Sequence, residues 1–214
     1  MNWQGRISGT DGLWGDAGAS RLIAVDDAAK ALPIPSKLVP EAADGDRLHL
    51  SPIGPLSAQD RLVLAGFQHL NPHWDGLAIM VGTDRTHWAT LSAREVIHAQ
   101  TSALPQVAAK LELTGVLADR LDDTMDRPER LLMTLGAATS PGAQLGALMG
   151  AEIGSTRMLW LGQQAVLIGE GPLVKAYATA LQSAHVPVIL TDRTALIPKG
   201  FEAVATVFPD PTQN

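Results

Sequence analysis

The chain contains no cysteine, so neither a disulfide framework nor thiolate chemistry is open to it. It has no run of basic residues: 16 Lys and Arg stand against 22 Asp and Glu, a net charge of −6. Without an Arg/Lys stripe the electrostatic footprint of a nucleic-acid binder is missing. No apolar stretch approaches the ~18 residues of a membrane span. The opening MNWQGRISGTDG has no apolar core of the kind a secretory signal needs, so a cytoplasmic location is expected. The sequence holds no G-x-x-x-x-G-K-[ST], no G-x-G-x-x-G and no G-x-S-x-G, which removes the P-loop, the dinucleotide fingerprint and the nucleophile elbow. There is no internal repeat and no low-complexity tract. Aromatic residues make up only 4% and charged residues 18%.

What is present is a hydrophobic fraction of 46% in 214 residues, enough for a buried core and too much for a disordered chain. Two zones follow from composition. Residues 1–75 carry short apolar runs at Leu22 to Val25, Leu48 to Leu50 and Leu62 to Leu64, punctuated by Pro33, Pro35, Pro40, Pro52 and Pro55. They predict short strands and turns, with one helix near 57–70. Residues 76–206 are more regular, and 207–214 read as a tail. Gly76 to Thr83 (GLAIMVGT) is a buried strand ending in a Gly-Thr turn; His87 to Leu91 and Glu95 to Thr101 complete an antiparallel meander. Helical spacing then marks 105–121, 127–138 (with Leu131, Leu132 and Leu135 inward) and 142–155. A strand at Ala165 to Glu170, a helix over 171–184, a strand at Val186 to Leu190 and a last short helix close the chain. The expected class is α/β, a mixed sheet flanked by helices, with a small irregular N-terminal part.

Some candidate groupings dissolve on inspection. His69 and His73 are four apart, but Pro72 breaks any helix between them, so a zinc site is not expected. Asp122, Asp123 and Asp126 lack the glycine and Glu of a calcium loop. Gly146 and Gly150 have the spacing of a close helix contact. No metal site is expected.

Several segments, in order, resemble the 2-dehydro-3-deoxygalactonokinase family. Met80 to Trp88 reads MVGTDRTHW, where the family has a Pro-Gly-Thr-His-Ser-Lys-Trp turn; Gly82, Thr83 and Trp88 match with one extra residue between. Leu145 to Ile153 (LGALMGAEI) matches a family helix at Gly150, Ala151 and Glu152. Val166 to Leu181 (VLIGEGPLVKAYATAL) matches a strand, a small-residue loop and a helix that carries Tyr177. Asp192 and Gly200 fit as well. Three features differ. The family's opening Asp-Trp-Gly-Thr has no counterpart, so the chain is expected to start partway through the N-terminal lobe. The family's Met-Arg-Gly-Glu-Glu-Thr falls on LSAQDRLV at Leu56 to Val63, and its Met-Thr-Gly-Glu-Leu on SALPQ at Ser102 to Gln106.

The resemblance implies a ribonuclease-H-like lobe of the actin-like ATPase class, sheet order 3-2-1-4-5, over 76–206. It implies ATP-dependent phosphorylation of 2-dehydro-3-deoxy-galactonate, with ATP and Mg²⁺ as cofactors. In such a kinase Gly82 and Thr83 form a phosphate-binding turn whose amides make an anion nest; a plain glycine turn between strands is the alternative. Asp84 is placed as a base toward the sugar hydroxyl or as a water-mediated Mg²⁺ partner, or it is a solvated turn residue. Arg85 and His87 are placed to meet the substrate carboxylate. Gly169 and Gly171, at a strand-to-helix junction, and Glu152 are placed near the nucleotide. The missing elements equally admit a non-catalytic lobe that binds a sugar acid or nucleotide. A lobe that normally packs on another is expected to form a homodimer.

Overall fold

Short strands with partly alternating burial open the chain. β1 (Trp3–Ile7), β2 (Leu13–Gly15), β3 (Arg21–Val25), β4 (Ser36–Lys37) and β5 (Arg47–Leu50) precede the helix α1 (Ala58–Leu70). The computed structural model describes residues 2–113 and 120–208. They fall into two units. The first comprises the residues up to Asp75, Leu91–Ala99 and those from Arg193 on; the second comprises Gly76–Thr90 and Gln100–Asp192. This division differs from the two contiguous zones expected, because the last helix belongs with the first unit.

In the first unit the strands form a sheet of order β2-β1-β3-β5. β1 and β2 pair antiparallel, and β1-β3 and β3-β5 pair parallel. The irregular N-terminal part expected from the prolines is therefore a regular mixed sheet; β1 and β2 were missed because GRISGTDGLW has few apolar residues and many turn formers. α1 starts where Ser57 and Asp60 form a capping box: Ser57 Oγ accepts from the Asp60 amide at 3.0 Å and Asp60 Oδ2 accepts from the Ser57 amide at 3.0 Å. It ends at Asn71, one residue before Pro72. Its Leu62, Val63, Leu64 and Phe67 are buried, each worth about 1.5–3 kcal/mol of transfer free energy.

The last helix, which we number α8 (Arg193–Ala205), lies against α1. A Cβ added at Gly66 would run into the Leu196 carbonyl, and one at Gly200 into the Leu62 carbonyl, so paired glycines let the two backbones approach. Phe201 of α8 stacks between Trp3 and Trp14 with centroids at 5.9 and 5.1 Å. Its ring fills the space that a side chain at Gly5 would need. An aromatic-poor chain thus concentrates three rings where α8 meets β1.

The second unit is built on β6 (Gly76–Val81), all six residues of which are buried. β7 (Thr86–Ser92) and β8 (Glu95–Ser102) follow through connections short enough to require antiparallel pairing. Then come α2 (Leu104–Lys110), α3 (Leu121–Met125), a 3-10 turn at Pro128–Arg130, α4 (Leu131–Ala137), α5 (Pro141–Ser155), α6 (Arg157–Trp160), β9 (Ala165–Ile168), α7 (Pro172–Ser183) and β10 (Val188–Thr191). Sheet order is β10-β9-β6-β7-β8. The five strands expected from residue 76 onward are thus neighbours in the sequence third, second, first, fourth, fifth. Within the first unit, the start of β8 pairs antiparallel with β4, which the sequence reading did not contain. β6-β9 and β9-β10 are parallel.

Four expectations need correction. The helix expected over 105–121 stops early: α2 ends at Lys110, and Glu112 takes a left-handed φ of 54°. Residues 114–119 of that expected helix lie outside the described residues, as does most of the expected tail. The helix expected over 127–138 opens with the 3-10 turn. Leu132 does not point inward but is 75% exposed, and Thr134 takes the buried position. The last strand begins at Val188 rather than Val186, because Pro187 precedes it at the edge of the sheet. Of the expected pair Gly146 and Gly150, Gly150 packs closely: a Cβ there would strike the Leu121 carbonyl of α3, as one at Gly154, which the spacing did not single out, would strike the Met125 carbonyl.

Candidate functional site

Parallel pairing decides where the loops of the second unit meet. β6 and β9 run in register with Met80 opposite Ile168, so both strands end on the same edge of the sheet. Beyond β6 lies the turn Gly82 to Arg85; beyond β9 lies the loop Gly169, Glu170, Gly171. In open sheets with parallel strands, ligands sit at the carboxyl ends of the strands.

Glycine is required at Gly169. Its φ is +147°, and a Cβ there would stand 2.7 Å from the Val81 carbonyl oxygen. The loop after β9 therefore approaches the end of β6 backbone to backbone. The Gly169 amide donates to the Thr191 carbonyl at 3.2 Å, which ties the loop to β10 as well. Gly171 (φ +92°) is the N-cap of α7, with Pro172 in the first turn and no side-chain cap. The amides of that first turn have no intrahelical acceptor, and a helix N-terminus favours an anion.

The 82–85 turn is closed by the Gly82 amide donating to the Arg85 carbonyl at 2.8 Å. Gly82, Thr83, Asp84 and Arg85 are all exposed. Asp84 Oδ2 stands 3.9 Å from Arg85 Nε, with the Asp84 side chain 70% exposed. His87 is on β7, with Nδ1 2.8 Å from Thr101 Oγ1. The structure thus gathers Gly82, Thr83, Asp84 and Arg85 on one turn and brings the residue before it, Val81, against Gly169.

Glu152 is held differently. It lies half-buried on α5, and its two oxygens are taken by neighbours. Oε1 accepts from Trp88 Nε1 at 2.6 Å and from the Tyr177 hydroxyl at 2.8 Å. Oε2 accepts from Ser102 Oγ at 2.5 Å. Tyr177 Oη is also 3.1 Å from Thr86 Oγ1. Burial raises the Glu152 carboxyl above its ordinary value, and the three donors hold the rise back. Burial, together with the Glu152 charge, keeps the Tyr177 hydroxyl well above its ordinary range.

Sequence reasoning singled out Trp88, Glu152 and Tyr177 separately and overlooked Thr86 and Ser102. The signal for Thr86 was available: it and Trp88 are two apart on β7 and share its buried face. Ser102 lies in the segment read as having lost a polar motif, yet its hydroxyl reaches the carboxylate. The acidic cluster at 122–126 forms surface ion pairs, Arg120–Asp123 at 3.4 Å and Arg157–Asp126 at 3.1 Å. Among the described residues no group of three His, Asp or Glu could hold a metal ion, and no helix is long and apolar enough to cross a membrane.

A family model described as 2-keto-3-deoxy-galactonokinase matches residues 125–204. No curated protein sequence matches the chain significantly. Among solved structures, the crystal structure of a protein from Sinorhizobium meliloti, described as a 2-dehydro-3-deoxygalactonokinase, superposes with a TM-score of 0.65 at 20% identity. The match covers 91% of this chain and 80% of that one, which shows a shared mixed α/β fold. The resemblance read in the motifs at 145–153 and 166–181 is thus shown, and the Met80–Trp88 motif lies outside the matched residues: over 125–204 this chain is similar to the 2-keto-3-deoxy-galactonokinase family.

Proposed function

We propose that the second unit is a ribonuclease-H-like lobe that receives nucleotide phosphates at the carboxyl edge of β6 and β9, and that the chain transfers the γ-phosphoryl group of ATP to a hydroxyl of 2-dehydro-3-deoxy-galactonate. The observation that carries this reading is the meeting of two glycine loops at that edge, with Gly169 too close to the Val81 carbonyl for any side chain. Phosphoryl transfer asks the protein mainly for positioning and charge stabilisation. In this reading Thr83 and the start of α7 after Gly171 present amides to the phosphates, while Gly82, whose amide closes the turn onto the Arg85 carbonyl, shapes the phosphate-binding turn. Arg85 and His87 face the substrate carboxylate. Asp84 takes the hydroxyl proton as the oxygen attacks, and ADP leaves. In its alternative role Asp84 would hold Mg²⁺ through water, and the ion would neutralise phosphate charge.

A second reading, a lobe that binds a nucleotide or sugar acid without turning it over, is favoured by one observation. Of the two carboxylates nominated from the sequence, Asp84 is exposed beside Arg85 and Glu152 has both oxygens engaged. Neither is a desolvated base. The expected homodimer is likewise a proposal, read out by sedimentation equilibrium.

Thermal unfolding with Mg-ATP, with the sugar acid and with both separates the readings. A ligand at about 100 times its Kd stabilises the fold by roughly 2.7 kcal/mol. Stabilisation by Mg-ATP together with ADP release in the presence of the sugar acid is the kinase outcome. Stabilisation without ADP release is the binder outcome. No stabilisation by either ligand removes both.

A further inference from the structure

Four elements of the second unit meet at one carboxylate. Glu152 comes from α5, Trp88 and Thr86 from β7, Ser102 from the end of β8 and Tyr177 from α7. Two of these elements lead straight into the glycine loops. Thr86 is the residue after Arg85, so the 82–85 turn hangs from β7 at that point. α7 begins at Gly171, and Tyr177 sits in its second turn.

The proton arrangement follows from the chemistry of the groups. An ionised carboxylate only accepts, and a tyrosine hydroxyl has one proton to give. Tyr177 spends that proton on Glu152 and therefore accepts from the Thr86 hydroxyl. The result is a continuous chain, Thr86 to Tyr177 to Glu152, with Trp88 and Ser102 as two further donors to the carboxylate. A half-buried carboxylate costs desolvation that apolar residues of similar size would avoid. Its value lies in directional hydrogen bonds that fix distances between the elements they join.

We propose that the Glu152–Tyr177–Thr86 chain is the positioning device of this site: it sets the spacing between the 82–85 turn and the 169–171 loop and touches no ligand itself. The inference rests on reading those loops as the nucleotide site. It assigns Glu152 a role through other residues, in place of the direct nucleotide contact expected from sequence. Amides that cradle a phosphate must be placed closely, since misplacement by about 1 Å costs on the order of 10²-fold.

The test uses the full chain and the variants Tyr177→Phe, Glu152→Gln and the double variant. Two quantities are read: hydrogen exchange at the Gly82 and Gly169 amides, and the Kd for Mg-ATP by calorimetric titration. Tyr177→Phe removes only a hydroxyl, so it carries the test if Glu152→Gln fails to fold. The expected result is cooperative unfolding retained, exchange at both glycine amides faster by about tenfold, Mg-ATP weakened by about tenfold in each single variant, and no further loss in the double variant. Wild-type exchange at those amides with an unchanged Kd overturns the proposal. So does a lowered melting temperature with exchange raised equally throughout α5 and α7 and an unchanged Kd, the mark of a purely structural group. If the unaltered chain binds no Mg-ATP, the nucleotide reading falls, and the exchange result alone decides whether the network sets the loops.

Discussion

The two units each bury a charge, and they satisfy it by opposite means. In the first, Arg61 on α1 is only 2% exposed. Its guanidinium donates to three backbone carbonyls: Nε to Leu38 at 2.8 Å, Nη1 to Ser51 at 3.0 Å and Nη2 to Lys37 at 2.9 Å. Burial pushes its pKa down to about 10. In the second, Glu152 accepts from three side chains. The difference concerns what each charge can organise. Arg61 stitches together main chain from segments that have little regular structure, where carbonyls would otherwise be left without donors. Glu152 joins side chains of elements that are already regular, so it adds relative placement more than local order. The units share a second device. Each has a helix pair brought together by glycine, Gly66 and Gly200 in the first, Gly150 and Gly154 in the second.

Breaking the first of these charges should have the largest effect. Arg61→Met leaves the buried Leu38 carbonyl and the part-buried Lys37 and Ser51 carbonyls without this donor, at about 1–3 kcal/mol for the buried one and less for the others. Urea unfolding should show a loss of roughly 3 kcal/mol or more, with Arg61→Lys recovering only part of it. A variant that unfolds at the wild-type midpoint would mean that the carbonyls find other donors and that the contrast between the units is empty. Gly66→Ala comes next. Its methyl group collides with the Leu196 backbone, so the helices must separate, at a cost of about 1–3 kcal/mol by overpacking; calorimetric melting checks it.

Glu152→Gln sharpens the comparison through pH. The folded-state pKa of Glu152 is raised, so between the ordinary 4.5 and its raised value the native state binds more protons than the unfolded one. Stability from this group is therefore present below pH 4.5 and is lost as pH rises through the folded value. Melting temperatures of the wild type should fall relative to Glu152→Gln as pH climbs from 4.5 to neutrality; parallel curves would show that the three donors cancel the burial. The smallest effect belongs to Leu132→Ser on exposed α4, expected within about 0.5 kcal/mol of wild type. A larger loss there would mean that the face is covered in solution, and sedimentation would then show a larger species.

How much of this was legible in advance varied with the kind of signal. β6, α5 and α7 were readable because each is long or continuously apolar: GLAIMV has no polar interruption, and the spacings on 142–155 and 171–184 hold over several turns. β1 and β2 were not, because GRISGTDGLW is dominated by turn-forming residues and becomes strand only where β1 pairs with β3 and β2 with β1. The glycine loops at 82 and 169 were legible as turns. That they meet was not visible, since register between β6 and β9 is set by pairing across more than 80 residues. Glu152 was placed among candidate ligands because one residue's partners cannot be read from its own position.

By itself, the sequence determined the alternation of apolar strands and amphipathic helices from residue 76 onward, the glycine turns at both strand ends, and the resemblance carried by Gly82, Trp88, Glu152 and Tyr177. These depend on local periodicity and on residue chemistry, which act over one or two turns. Only the tertiary structure decided that α8 returns to the first unit through Gly66, Gly200 and Phe201. It likewise decided that Arg61 is buried on carbonyls, and that Trp88, Ser102 and Tyr177 converge on Glu152, with Thr86 joined through Tyr177. The reason is physical. Burial and hydrogen-bond satisfaction are properties of groups brought together from distant positions, and no local pattern encodes which distant donor will meet a given acceptor.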